Sequence, residues 1–488
     1  MESIDRRTAV NTFLGMGALA ALSASRQALA AEKGSLAAGA SASDEGASSA
    51  SQDGTATPDV DALTPQPVND VAAMGGTTLS VDELNERRHA LVDAAGEFTR
   101  EDGTVVPAVY SKLRALLNTY SVGTGNESED SIDYLMMLFT EQDAQNYLAM
   151  PFGRIFSAAD YAEQAGLQED ECTQICDDLA ARGLLYRVVR SGRALYHHIP
   201  IVLGNFEYNV NNFFDPGWTP TFLSSWLAPV MQENTLLRAG SPIEYAIPCD
   251  ESVVADDQIL ALDDYKKIVE RYDTIVVIPC QCRTVFMAAN GHTEQFPDDE
   301  LRDAVSPVCG HPMETCMAFG EEAEYALWSG RGRQIDKEEA LSILKRSVDA
   351  GMILQNMYTK NSEFICSCHG DCCGVLSSYI AVGPEVAAKS VAYKFTSNYT
   401  LQYDRDACVQ CGACVERCPM FAISMDDTNH PTVNALCMRC GQCGMVCPVG
   451  ARKLVAKPAE ERGQRPDDLL GDFNLQGAWR FENGDLKA

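Results

Sequence analysis

Apolar residues recur at helical spacing early in the chain and at strand spacing after it. Pro107–Tyr120 and Ser131–Met150 carry apolar positions three and four apart, with Val109, Leu113, Leu116 and Leu117 on one face, so both predict helices. Ser157 caps a short helix through Gln164, Gly166 turns the chain, and a second helix over Asp170–Arg182 ends at Gly183. Leu184–Val189 and Ala194–Ile199 alternate as strands and join at Ser191-Gly192, a hairpin signal. Farther on, Asp273–Ile278 is a short β-branched run, and Asp336 caps a helix over Lys337–Ala350 that Gly351 ends. By contrast, residues 31–78 are mostly Ala, Ser, Gly, Asp and Pro, which cannot bury enough surface to order themselves. They read as a flexible low-complexity leader.

The order helix, helix, helix, hairpin over residues 79–200 resembles a winged helix-turn-helix. Its second helix, however, carries Asp170, Glu171, Asp177 and Asp178 against Arg182, a face that repels phosphates. The whole chain of 488 residues has a formal net charge of −31, which argues against nucleic acid as a partner. Cys172 and Cys176 share a helix face with Ile175 and Leu179 and read as buried core thiols.

The first 30 residues look like an export signal. Arg6-Arg7 precede an apolar stretch over Ala9–Ala24, and Ala28-Leu29-Ala30 offers a small-residue cleavage site. The paired arginines resemble a twin-arginine signal; an ordinary secretory signal is the alternative. No other stretch approaches membrane-spanning length, so no membrane span is expected after signal removal.

Two cysteine ladders close the chain. Cys408, Cys411, Cys414 and Cys418 precede Pro419; Cys437, Cys440, Cys443 and Cys447 precede Pro448, each 29 positions after its counterpart. Three closely spaced thiolates and a fourth from elsewhere suit a [4Fe–4S] cluster. Residues 399–456 resemble the bacterial two-cluster ferredoxin domain. That resemblance implies that Cys408, Cys411, Cys414 and Cys447 hold one cluster, and that Cys437, Cys440, Cys443 and Cys418 hold the other.

Eight more cysteines lie in the centre: Cys280, Cys282, Cys309, Cys316, Cys366, Cys368, Cys372 and Cys373. They divide most simply by position into two sets of four, Cys280 to Cys316 and Cys366 to Cys373; ligands shared across the two sets are the alternative. One or two additional iron–sulfur clusters, zinc joined by His311 or His369, disulfides and free thiols are all open chemistries. Cys-x-Cys and vicinal pairs are poorly shaped for ordinary disulfides. Cys280-Gln281-Cys282-Arg283 through Cys373 also looks like the central part of a sparsely characterised group of cysteine-rich ferredoxin-domain proteins with a winged-helix-like segment. The resemblance implies metal binding and names no substrate.

The expected fold class is α+β and multi-domain. It comprises an export signal (1–30), a leader (31–78), a helical and winged-helix-like module (79–200) and a central α/β cysteine-rich domain (201–398). A C-terminal dicluster ferredoxin-like domain (399–456) and a polar tail (457–488) follow. No flavin or nicotinamide fingerprint is present; Gly330-Arg331-Gly332-Arg333 reads as a turn, and His197-His198 simply lie on the hairpin. The expected function is single-electron transfer by an exported, periplasmic iron–sulfur protein with redox partner proteins, such as a membrane-attached oxidoreductase. An electron-fed reductase or a redox sensor is the alternative.

Overall fold

The computed structural model describes residues 79–120, 131–215, 217–227, 230, 240–254, 262–292 and 294–486. The expected export signal and leader lie outside these residues. Among them, no helix is long and apolar enough to cross a membrane.

The helical part begins with α1 (Val81–Ala94), opened by a capping box between Ser80 and Glu83. Helix α2 (Ala108–Leu117) follows. The single helix expected over 131–150 is instead two, α3 (Ser131–Leu138) and α4 (Glu141–Leu148). Thr140 explains the break: its hydroxyl accepts from the Asp143 N–H while Asp143 reaches back, so a new helix starts there. Helix α5 (Ala158–Ala165) is capped by Ser157 and closed by Gly166 at φ 70°. Helix α6 (Glu169–Ala181) buries Cys172 and Cys176 completely. Strands β1 (Leu185–Arg190) and β2 (Arg193–His198) then pair antiparallel. Positive φ at both Ser191 and Gly192 matches a tight two-residue hairpin turn.

The centre is a six-stranded sheet of β3 (Glu244–Ile247), β4 (Ile275–Pro279), β5 (Glu314–Phe319), β6 (Arg333–Gln334), β7 (Ile353–Met357) and β8 (Phe364–Cys368). Its order is β3-β7-β8-β5-β4-β6, and every pairing is antiparallel. Strands β5, β7 and β8 are buried along their whole length because both faces are covered. One face, with Val277, Met317, Phe319, Leu354 and Ile365, packs with Ile343 and Leu344 of helix α9 (Lys337–Asp349); α8 (Gly320–Trp328) lies between β5 and β6. The other face carries Val276, Ile278, Cys316, Cys366 and Cys368 and joins the core of the N-terminal helices. Tyr325 ties the two parts, its hydroxyl donating to the Ala180 and Leu185 carbonyls.

In the C-terminal module, β9 (Tyr399–Tyr403) pairs with β12 (Arg452–Ala456), and β10 (Ile423–Met425) pairs with β11 (Pro431–Val433). The module sits on the C-terminal end of α9. Arg417 donates to the Val348 and Asp349 carbonyls, and Gln442 to those of Val348 and Met352, so they occupy carbonyls that the helix end leaves open.

Residues 457–488, expected as a polar tail, contain a packed helix, α11 (Leu469–Glu482), which buries Phe473, Gln476, Gly477, Ala478 and Phe481. Asn474 accepts from the fully buried Arg88 of α1 at 2.8 Å and donates to the Gly153 carbonyl. A Cβ on Gly477 would stand 2.2 Å from the Thr119 carbonyl oxygen. Gly477→Ala is therefore expected to cost roughly 1–3 kcal/mol, as overpacking does. Thermal unfolding checks this, with exposed Glu460→Ala within about 0.5 kcal/mol of the parent.

Candidate metal centres

The two ladders fold alike. Positive φ occurs at Gln410, Gly412 and Phe421, and again 29 residues later at Arg439, Gly441 and Gly450. These left-handed residues curl each loop so that its thiols converge. Peptide N–H groups also meet sulfur at matching places: Ala422 donates to Cys418 Sγ at 3.4 Å, and Ala451 to Cys447 Sγ at 3.2 Å. Cys408, Cys411, Cys414 and Cys447 line a single recess, so the last cysteine of the second ladder meets the first three of the first. Cys418 in turn neighbours Cys437, Cys440 and Cys443. Four thiols brought together in each place, with an N–H group turned to one sulfur of each set, fit a [4Fe–4S] cluster.

The two sets differ in setting. Cys411 is exposed, and Val409, next to Cys408, is 57% exposed. Around the other set, Met420 and Met438 are buried, and Tyr393 donates to the Leu436 carbonyl at 2.7 Å. Arg417 and Arg439, one in each ladder, are both engaged with backbone carbonyls. Arg417 caps α9, and Arg439 donates to the Cys437 carbonyl. Arg452 was missed: it lies over the Tyr403 ring and beside Cys414, whose pKa burial raises against that cation. Cys249 was also missed; its N–H donates to the Cys440 carbonyl at 2.9 Å, and burial pushes its thiol up to about 12.

In the centre the thiols do not divide into the two expected sets. Antiparallel register pairs Phe364 with Ala318 and Ile365 with Met317, so the next step brings Cys366 opposite Cys316. Alternation then places Cys368 on that same sheet face. Cys280 and Cys373 are the N-cap residues of α7 (Gln281–Ala289) and α10 (Gly374–Val382). The resulting neighbours are Cys280 with Cys282 and Cys316, Cys282 with Cys373, Cys373 with Cys368, and Cys366 with Cys368 and Cys316. These six thiols close a ring. Cys309 and Cys372, one from each expected set, stand together outside it, beside His311. Sequence position misled because strand pairing, which crosses the chain, decides which thiols meet.

Two helix N-termini, at Cys280 and Cys373, aim at the ring; such ends favour thiolate, yet the bond from Cys282 lowers the Cys373 pKa less than Cys368 and burial raise it. Hydrogen bonding to Cys282 and then Cys316 holds the Cys280 thiol well below its ordinary range. Arg283 is fully buried and joins the two thiol groups. It donates to the Pro312 carbonyl at 2.8 Å, Thr315 Oγ1 at 2.7 Å and the Ser367 carbonyl at 2.6 Å. Burial opposes its charge, but Cys280, Cys372, Cys309 and Cys316 more than offset this and raise its pKa.

On its open side the ring faces Val202, Leu203, Phe206, Phe222 and Trp226, a nearly wholly apolar wall. Glu207 and Glu244 sit in it, and burial pushes each carboxyl up to about 8, so neither adds negative charge at neutral pH. No local pattern marked these two glutamates. Asp371, in contrast, lay in plain view between His369 and Cys372.

Residues 400–449 match a family described as the 4Fe-4S dicluster domain. No curated protein and no solved structure matches the chain. The C-terminal module is thus an iron–sulfur ferredoxin-like domain.

Removing one partner of a buried charged group leaves the others uncompensated, typically at a cost of about 3–5 kcal/mol. Arg283→Met is expected to lose that much in thermal or denaturant unfolding. Arg283→Lys restores the charge without the planar fork and should recover only part of the loss.

Proposed function

We propose that the protein carries single electrons between an exposed cluster site and a buried thiol centre, entering or leaving through the Cys408 set. A cluster held at each ladder supplies a one-electron couple. The observation that carries this reading is the join between modules. The Pro419 carbonyl, next in the chain to Cys418, accepts from the Gly370 N–H at 3.0 Å, inside the loop from Cys368 to Cys372. The fit is close: a Cβ on Gly370 would stand 2.4 Å from that oxygen. The set of Cys437, Cys440, Cys443 and Cys418 therefore lies beside the central loop, while the Cys408 set reaches solvent at Cys411. Further iron–sulfur clusters in the centre extend the same route.

The sequence supports export by the twin-arginine type of signal, with function on the periplasmic side. Iron–sulfur proteins acquire their clusters before export and travel folded. An acidic surface, at net charge −31, suits docking onto a basic patch of a redox partner such as a membrane-attached oxidoreductase.

Anaerobically purified protein is expected to hold at least about eight iron and eight acid-labile sulfide per chain, two clusters' worth. Cys447→Ser should disturb the EPR signal of the exposed cluster and Cys418→Ser that of the buried one. Fewer than about four iron in folded protein would overturn the reading. For export, replacing Arg6 and Arg7 together by Lys should leave the protein in the cytoplasmic fraction; unchanged periplasmic recovery would refute a twin-arginine route.

A further inference from the structure

The chain around Cys309 is shaped before any ligand arrives. Ser306 N–H donates to the His311 carbonyl and Gly310 N–H to the Ser306 carbonyl, each at 2.8 Å. Ser306 Oγ accepts from the Val308 and Cys309 N–H groups, and Val305 bridges to Pro312. Gly310, at φ 73°, completes a tight turn that offers Cys309 and His311 from one knuckle. Cys372 comes from the second loop, whose own turn is closed by Cys372 and Cys373 N–H groups on the His369 carbonyl.

The ligand atoms of Cys309, His311 and Cys372 all lie within 4.8 Å of one another. A tetrahedral ion with bonds of about 2.0–2.3 Å asks for such spacing. A cubane instead spreads its thiolates over separate irons. His311 and Cys372 are buried, at 6% and 1% exposed. His311 Nε2 stands 3.2 Å from Asp371 Oδ2, and His369 Nδ1 stands 2.8 Å from Asp371 Oδ1. With Nε2 donating to the carboxylate, the other His311 nitrogen keeps its lone pair for a metal, the usual arrangement of a carboxylate-oriented imidazole.

We propose that Cys309, His311 and Cys372 bind one zinc ion, separate from the six-thiol ring, with Asp371 as a positioning residue. Two thiolates and an imidazole are a donor set of zinc's borderline softness. Three protein ligands leave one position for water or a small ligand. The ion clips the knuckle at Cys309 to the loop at Cys372, beside the junction with the ferredoxin-like module. The site is independent of the electron route: iron content and EPR read one, zinc the other.

The test is metal analysis and zinc K-edge X-ray absorption on the full chain, expressed with iron and zinc both in excess. About one zinc per chain is expected, with two sulfur neighbours near 2.3 Å and nitrogen or oxygen neighbours near 2.0–2.1 Å. Cys309→Ser and His311→Ala should lose the zinc while iron is unchanged. His311→Cys should keep it with three sulfurs. Asp371→Asn should weaken zinc about 10–100-fold in chelator competition, with the same inner shell. Absence of zinc, an all-sulfur shell in the parent, or loss of iron in Cys309→Ser would overturn the proposal. If Cys309→Ser or His311→Ala does not fold, the parent spectrum and His311→Cys still decide.

Discussion

Everything in the centre depends on burying many thiols beside one another without leaving their charge unanswered. A thiolate in an apolar surround is costly, and several together repel. The answer is Arg283, fully buried, whose forked guanidinium reaches the Pro312, Thr315 and Ser367 segments and feels thiols of both groups. Two helix N-termini at Cys280 and Cys373 add partial positive charge. Glu207 and Glu244 remain neutral near pH 7 because burial raises them to about 8. Counter-charge, dipoles and neutral carboxyls act together against the neighbouring thiols and burial that raise Cys282, Cys316, Cys366 and Cys372.

The same burial places the ferredoxin-like module. Arg417 and Gln442 take the end carbonyls of α9, and Ser252 donates to the Gly441 carbonyl in the second ladder's own loop. A Cβ on Gly444 would stand 2.7 Å from Ser252 Oγ, so this loop is fitted closely to the central domain. The Cys437 set, with Cys418, lies toward the central domain, and the Cys408 set reaches solvent at Cys411. That polarity gives a two-cluster module an inside and an outside.

The ladders were legible because their ligands are local: three thiols within one turn of chain need only glycine and left-handed residues between them. The hairpin and the cap at Ser157 were legible for the same reason. Thr140 carried a readable start signal, but continuous apolar spacing through Ser131–Met150 hid it. The last helix was harder, since polar Gln476, Asp472 and Arg480 are buried there only because Ser241, Asn118 and neighbouring chain supply their partners.

Spacing by itself marked eight C-terminal cysteines as a ferredoxin-like pair and left the chemistry of the central eight open. The grouping of the central eight is decided only in three dimensions. Antiparallel pairing sets Cys366 against Cys316, strand alternation adds Cys368, and two helix caps bring Cys280 and Cys373 to the same face. Cys309 and Cys372 are left to His311 and Asp371. Spacing along a chain specifies neighbours only within a turn or two, whereas sheet register joins residues many positions apart.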